Sequence, residues 1–286
     1  MNLDYVTSLR FAPTEQSYDW RDSALYAMAL GMGSDPLDED ELPYVYEGRQ
    51  QQVVPSQCVT LGWQPFWQDD PAASIDWVKI LHGEMGFVLH QPLPVQGRVL
   101  TEHRLCAVED KGPQRGAILH FEHGIRDAVT SAPLATLRSL QFLRGDGGCG
   151  SFGAPLDTNE PMPEQAAATG FKDYKTLPQA ALLYRLASRD WMPIHADPAV
   201  AMQAGFDRPI SHGLNTMGIA CRALLKHVLP GHPERLKAMS VRFVQPAFPG
   251  DTLRVGWIEQ GRRFRFTVRA LERDVLVLDR GDARWA

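Results

Sequence analysis

Two distant stretches of this chain end in the same way, and that repetition limits the possible fold more than any other feature. GFVLHQPLPVQGRV at residues 86–99 parallels VRFVQPAFPGDTL at 241–253. Each is a strand-like run, a Gln-Pro turn and a glycine before the next strand. Upstream of them, RDSALYAMALGMGSDP at 21–36 parallels RDWMPIHADP at 189–198. Matches that recur in the same order predict a duplicated unit. Its seam falls in RGDGGCGSFGAPLDTNEPMPE, which is dense in Gly, Pro and acidic residues and has neither helical nor alternating period. The expected organisation is an N-terminal repeat over residues 1–148, a linker over 149–178 and a C-terminal repeat over 179–286.

The second repeat is the more readable. Asp197-Pro198 predicts a helix start, with Asp as cap and Pro at the first helical position, and Gly205 predicts its stop. After Gly213, the residues Leu214, Met217, Cys221, Leu224, Leu225 and Val228 recur at helical spacing up to Pro230-Gly231. Gly218, Ala220 and Ala223 are small enough to let a sheet approach that helix closely. Strands are expected at 238–245, 252–259, 263–270 and 275–278. In the third of these, arginines alternate with Phe264, Phe266 and Val268, so Arg262, Arg263, Arg265 and Arg269 are read as a solvated face. One helix followed by an antiparallel sheet implies an α+β layer in which the sheet wraps the helix. The first repeat has matching strands at 86–90, 98–109, 116–122 and 137–144. Between Leu61 and Ile80, however, three Trp and two Pro argue against a matching long helix.

Composition narrows the partners. A net charge of −5 argues against a general nucleic-acid binder, because phosphate contacts need a basic face. No run approaches the roughly 18 apolar residues of a spanning helix, and MNLDYVTSLRFAPTEQ has no apolar core behind a basic tip. Cys58, Cys106, Cys149 and Cys221 form no CxxC pair and are read as reduced thiols of a cytoplasmic protein. The terminal DARWA is not a peroxisomal address.

The densest cluster of reactive groups is YRLASRDWMPIHADP at 184–198, followed by GFDRPISHGLNTMG at 205–218. Asp190 and His195 flank Pro193, so they sit on a bend that can aim both side chains at one point. A carboxylate and an imidazole sharing a water form an acid/base pair near neutral pH. Gly213 opens the long helix, whose first N–H groups are unpaired and carry a positive partial charge, the makings of an oxyanion hole. Plainer readings stand beside these. Asp-x4-His by itself is more often a structural pattern than a catalytic one, Asp197 suits a helix cap better than a base, and His212 is able simply to position the glycine turn. His195 and Asp197 have no third ligand at metal-binding spacing, so no metal is expected. Ser211 and His212 are adjacent, and adjacent side chains seldom converge as a nucleophile pair.

The residues Tyr184-Arg185-Leu186, Asp190-Trp191, Pro193-Ile194-His195, Asp197-Pro198, Ala204-Gly205-Phe206, Pro209-Ile210 and His212-Gly213-Leu214 resemble the signature of hydratase 2 and MaoC-like dehydratases. Asp22, Ala24-Leu25-Tyr26, Tyr44-Val45-Tyr46-Glu47, His82-Gly83-Glu84 and Pro92-Leu93-Pro94 resemble the amino-terminal half of the eukaryotic hydratase 2 unit. The resemblance implies a double hot-dog fold, two antiparallel sheets each wrapped around a central helix, with that helix reduced in the first repeat to make room for an acyl chain. It also implies reversible (R)-specific hydration of a trans-2-enoyl-CoA, without a cofactor beyond the CoA thioester itself. Asp190 and His195 would be the acid/base pair and Gly213 the backbone donor to the thioester carbonyl, with Met192, His212 and Leu214 against the substrate. An acyl-CoA or acyl-carrier thioester is the expected partner, and a homodimer the expected assembly. Met192 stands where such sequences usually carry Asn, and a thioether offers no N–H. That departure keeps two alternatives in play: another acyl-thioester enzyme (a thioesterase or a specialised dehydratase), or an acyl-CoA-binding subunit of impaired activity.

Overall fold

A computed structural model of the protein describes residues 1–162 and 168–286. The chain opens with helix α1 (Leu3–Ser8), strand β1 (Thr14–Tyr18), helix α2 (Trp20–Ala29) and the short α3 (Leu42–Val45). Strands β2 (Ile80–Leu89), β3 (Gly97–Asp110), β4 (Ala117–Asp127) and β5 (Pro133–Leu143) follow. Next come β6 (Phe152–Gly153), β7 (Gly170–Lys175), α4 (Ala180–Ser188), α5 (Pro198–Gln203) and α6 (Gly213–His227). The last four strands are β8 (Leu236–Phe243), β9 (Thr252–Gln260), β10 (Arg263–Ala270) and β11 (Val275–Trp285).

All eleven strands join one sheet, in the order β1-β3-β4-β5-β2-β8-β11-β10-β9-β7, with β6 paired to β3 off that path. Read from its two ends, the order is the same: β1 answers β7, β3 answers β9, β4 answers β10, β5 answers β11, and β2 meets β8 at the centre. The duplication expected from the Gln-Pro turns is therefore built into the topology, and those turns are the equivalent β2–β3 and β8–β9 connections. The Arg-Asp match is out of register. Arg21-Asp22 lies in the first turn of α2, where Asp22 completes a capping box with Asp19, whereas Arg189-Asp190 follows the end of α4. The real counterparts are α2 and α4, which pack on each other through Tyr26 and Tyr184, ring centroids 5.8 Å apart.

The two halves differ in what fills them. α6 is buried continuously from Leu214 to Leu225, so it is a core helix rather than an amphipathic surface one. Two of its buried polar residues, Asn215 and Arg222, are paired to the first half. Asn215 Nδ2 donates to Ala29 O at 2.8 Å, and the Arg222 guanidinium donates to Glu41 Oε2 at 2.9 Å and Leu30 O at 3.1 Å. Gly218 admits Leu30 rather than the sheet, since a Cβ there would stand 2.4 Å from Leu30 Cδ2. Among the described residues, the corresponding stretch of the first half forms 3-10 turns, at Pro55–Thr60, Pro71–Ala73 and Trp77–Lys79, in place of a long helix. The hydrophobic content of this stretch is arranged around a cleft instead of along a helix.

Two further expectations need correction. The stretch read as linker contributes the edge strand β7, in which only Tyr174 is buried, so its sequence shows no apolar alternation. The β10 arginines are not a uniformly wet face. Arg265 is buried, donating to the carbonyls of Glu160 and Pro161 at 2.7 Å, and both Arg263 and Arg265 face Asp282. The chain leaving the first half crosses that face and covers it.

Candidate active site

The site forms where α4 ends. Arg189 caps α4 in the left-handed conformation, φ 60°, which costs a non-glycine residue about 1 kcal/mol and needs external support. The first half supplies it: Arg189 Nη2 donates to Ser17 O at 3.1 Å and lies 3.7 Å from Asp22 Oδ2. Trp63 Nε1 donates to Ser188 O at 2.7 Å, fixing the same turn from the other side. The chain then reverses, and Pro193–His195 makes one 3-10 turn. The bend expected from Pro193 is present, and it brings Asp190, His195 and His212 together, their ligand atoms within 4.8 Å of one another.

Asp190 and His195 are each oriented by a backbone partner. Asp190 Oδ1 accepts from the Met192 N–H at 3.1 Å. His195 Nδ1 lies 2.9 Å from the Ile210 carbonyl. A carbonyl only accepts, so Nδ1 carries the proton and Nε2 keeps its lone pair free. Burial lowers the His195 pKa from its usual 6.5, while Asp190 and the Ile210 hydrogen bond push it back up. The net direction leaves a neutral imidazole at neutral pH, poised as a base rather than as an acid.

His212 is a buried platform under His195. The rings stack with centroids 3.7 Å apart and planes 26° apart, and Tyr184 closes on His212 at 5.0 Å. Burial drives the His212 pKa down to about 2, so this ring is uncharged. Neither of its nitrogens has a hydrogen-bond partner among the described residues, and Nε2 stands 4.0 Å from Asp190 Oδ2. Although Asp190, His195 and His212 are three potential metal ligands, nearly parallel stacked rings point their in-plane lone pairs side by side rather than at one ion.

Gly213 is the first residue of α6 and His212 its cap residue, so the Gly213 N–H has no acceptor within the helix. A Cβ at Gly213 would stand 2.8 Å from the Phe243 ring, and Phe243 in turn packs on His82 at 4.7 Å. Asp190, His195 and Gly213 all line one cleft of about 2220 Å³ that runs on into the first half past Trp63, Phe66 and His123. Met192 lines it with a partly exposed thioether, and Leu214 lines it while packing mainly into the core. Sequence reasoning missed Trp63, His82 and Phe243. The Trp63 signal was visible, since an aromatic-rich stretch that forms no helix is suited to lining a cavity.

Residues 16–145 match the MFE-2 hydratase 2 N-terminal domain and residues 159–280 the MaoC like domain. Fold and site thus define a double hot-dog protein of the MaoC-like dehydratase type. The chain is 35% identical to the peroxisomal enoyl-CoA hydratase 2 of Arabidopsis thaliana over 97% of its length and 93% of that protein's. It is 33% identical to the enoyl-CoA hydratase ChsH3 of Mycobacterium tuberculosis, covering 97% and 96%. The crystal structure of a MaoC-like dehydratase from Phytophthora capsici superposes with a TM-score of 0.86 at 28% identity, covering 100% and 99%. The chain belongs to the hydratase 2 branch of the MaoC-like dehydratase family.

Proposed function

We propose that this enzyme is a hydro-lyase that hydrates trans-2-enoyl-CoA to (R)-3-hydroxyacyl-CoA, with Asp190 and His195 acting on one water. The observation that carries the mechanism is the His195 tautomer. With Nδ1–H committed to Ile210, the free Nε2 lone pair takes a proton from water as the oxygen attacks C3. The C2=C3 π electrons move onto the thioester oxygen, which the Gly213 N–H and the positive end of α6 stabilise. The enolate then collapses and takes the proton back from His195 at C2, on the face from which water arrived. Asp190 holds the water and offsets the transient imidazolium. No cofactor enters this sequence. The first repeat takes no part in the proton transfers, and its open cleft receives the acyl chain.

A cytosolic homodimer is part of the proposal. Free thiols at all four cysteines suit a reducing compartment, whereas the Arabidopsis relative is named as peroxisomal. No helix among the described residues is long and apolar enough to cross a membrane.

The test is loss of enoyl-thioester absorbance on crotonyl-CoA and longer enoyl-CoAs. Asp190→Asn is expected to lower the rate by about 10²–10⁴-fold at every chain length, the usual worth of a positioned acid or base. Equal rates for the variant and the wild type would reject the mechanism. Release of free CoA, read with a thiol reagent, would assign hydrolysis instead.

A further inference from the structure

The open half of the cleft contains a polar row that the hydration steps do not use. His103 on β3 stands directly opposite His123 on β4, and their Nδ1 atoms lie 2.9 Å apart. His103 Nε2 is 3.0 Å from Thr14 Oγ1, and His123 Nε2 is 3.2 Å from Ser139 Oγ on β5. His103, His123 and Ser139 line the same cleft as Asp190 and His195. So does His82, whose buried Nε2 has no hydrogen-bond partner among the described residues.

Two Nδ1 atoms in hydrogen-bond contact share a single proton, and that choice sets the direction of the whole row. If His103 donates, His123 carries its proton on Nε2 and donates to Ser139, whose hydroxyl hydrogen is then free for another acceptor. If His123 donates, Ser139 must donate to His123, and a serine lone pair is left open. In both arrangements the row ends at Ser139 with unmet hydrogen-bonding capacity, including a donor in the first and acceptors alone in the second. Burial holds the His123 pKa down to about 3 and lowers that of His103, so both rings are uncharged at neutral pH. A plain methylene chain lying here would exclude water from these groups and return no hydrogen bond. An ionised carboxylate would meet no countercharge in the row, which disfavours it as well.

We infer that this chamber selects 2-enoyl thioesters whose acyl group carries a neutral hydrogen-bonding substituent, a hydroxyl or a ketone oxygen, docking on Ser139 and the His103–His123 pair. The inference rests on the enoyl-thioester reading of the site. A hydroxyl serves either direction of the row, and a ketone serves the one in which Ser139 donates outward.

The experiment compares kcat/KM of the full-length protein for trans-2-decenoyl-CoA with that for the same chain bearing a hydroxyl, a ketone or a carboxylate near its far end. The hydroxyl and ketone chains are expected to be preferred over the plain chain by about tenfold or more, as for a site built to pair with a polar group. Ser139→Ala and His123→Phe are expected to collapse that ratio. Because the ratio is read within one protein, a smaller folded fraction in either variant cancels. A plain or carboxylate chain preferred by the wild type, or an unchanged ratio in both variants, overturns the inference. Should the wild type not turn over even crotonyl-CoA, the hydratase reading has failed separately. Dissociation constants for decanoyl-CoA and its hydroxylated counterpart then read docking alone, and equal values overturn the inference.

Discussion

The two halves of this molecule share one strand order and differ in what lies against the sheet. In the second half α6 fills the concavity, burying every residue from Leu214 to Leu225, and Gly213 at its start lines the cleft. In the first half the equivalent space is bounded by 3-10 turns and left open, with His103, His123 and Ser139 facing it. Filling and emptying the same scaffold separates two tasks. Under the proposed mechanism, the buried helix would fix a dipole and a backbone donor where charge develops, and the open half would admit a variable substrate. The separation is not complete, because the first half's Ser17, Asp22 and Trp63 hold the turn that aims Asp190.

If that division is right, damage to the start of α6 should be blind to acyl length. Gly213→Ala places a Cβ 2.8 Å from Phe243, which forces either the ring or the helix start to move. A shift of that kind at the thioester oxygen is expected to cost about 10²-fold in kcat/KM, equally for crotonyl-CoA and for long enoyl-CoAs. The double variant Gly213→Ala/Phe243→Leu should regain part of the loss by making room. A Gly213→Ala defect confined to long chains would show that the filled half also selects substrate, and the contrast would break.

Much of this architecture was legible in the sequence, for identifiable reasons. α6 was readable because its apolar period is regular and Gly213 and Pro230-Gly231 bound it. The Gln-Pro turns were readable because proline and glycine are local instructions that act without tertiary context. The Arg-Asp resemblance misled, since two residues carry no register and their helices stand on opposite sides of them. Strand β7 was hidden in a polar linker, where a single buried residue, Tyr174, gives no alternation to detect. At the site, Asp190, His195 and Gly213 were named from their sequence motif. The carbonyl of Ile210 that selects the His195 tautomer was beyond reach, because every residue has a carbonyl and only the fold decides which one arrives.

Acid sharpens the comparison next, since His195, His212 and the chamber histidines are all held neutral by burial. In the proposed mechanism His195 must be deprotonated to act, and its pKa lies below the usual 6.5. Activity should therefore be level at neutral pH and fall on the acid side with a slope of one proton. The stability effect has the same sign. His212 and His123, at about 2 and about 3 when folded, bind protons more readily when unfolded. Their stabilising contribution is full above about pH 6.5 and is lost progressively as pH falls toward the folded values. His212→Phe keeps a ring under His195 and removes one such group, so its melting temperature should decline less steeply with acid than that of the wild type. Parallel declines would mean that His212 is not a neutral, buried ring.

The smallest expected effect concerns Met192, the departure from the family's usual signature. Met192 replaces the usual asparagine, yet the position already serves Asp190 through its backbone N–H at 3.1 Å, and that bond does not depend on the side chain. The thioether lies at the cleft surface, partly exposed, where water is able to supply what an amide would. Met192→Asn is therefore expected to raise kcat/KM only a few-fold, about the worth of one solvent-exposed hydrogen bond. The change should be the same for short and long chains, because the residue belongs to the filled half's turn and not to the open chamber. A gain of about 10³-fold or more would mean that the natural methionine disables the site. The chain would then be better described as a binding subunit that has kept the scaffold of an enzyme.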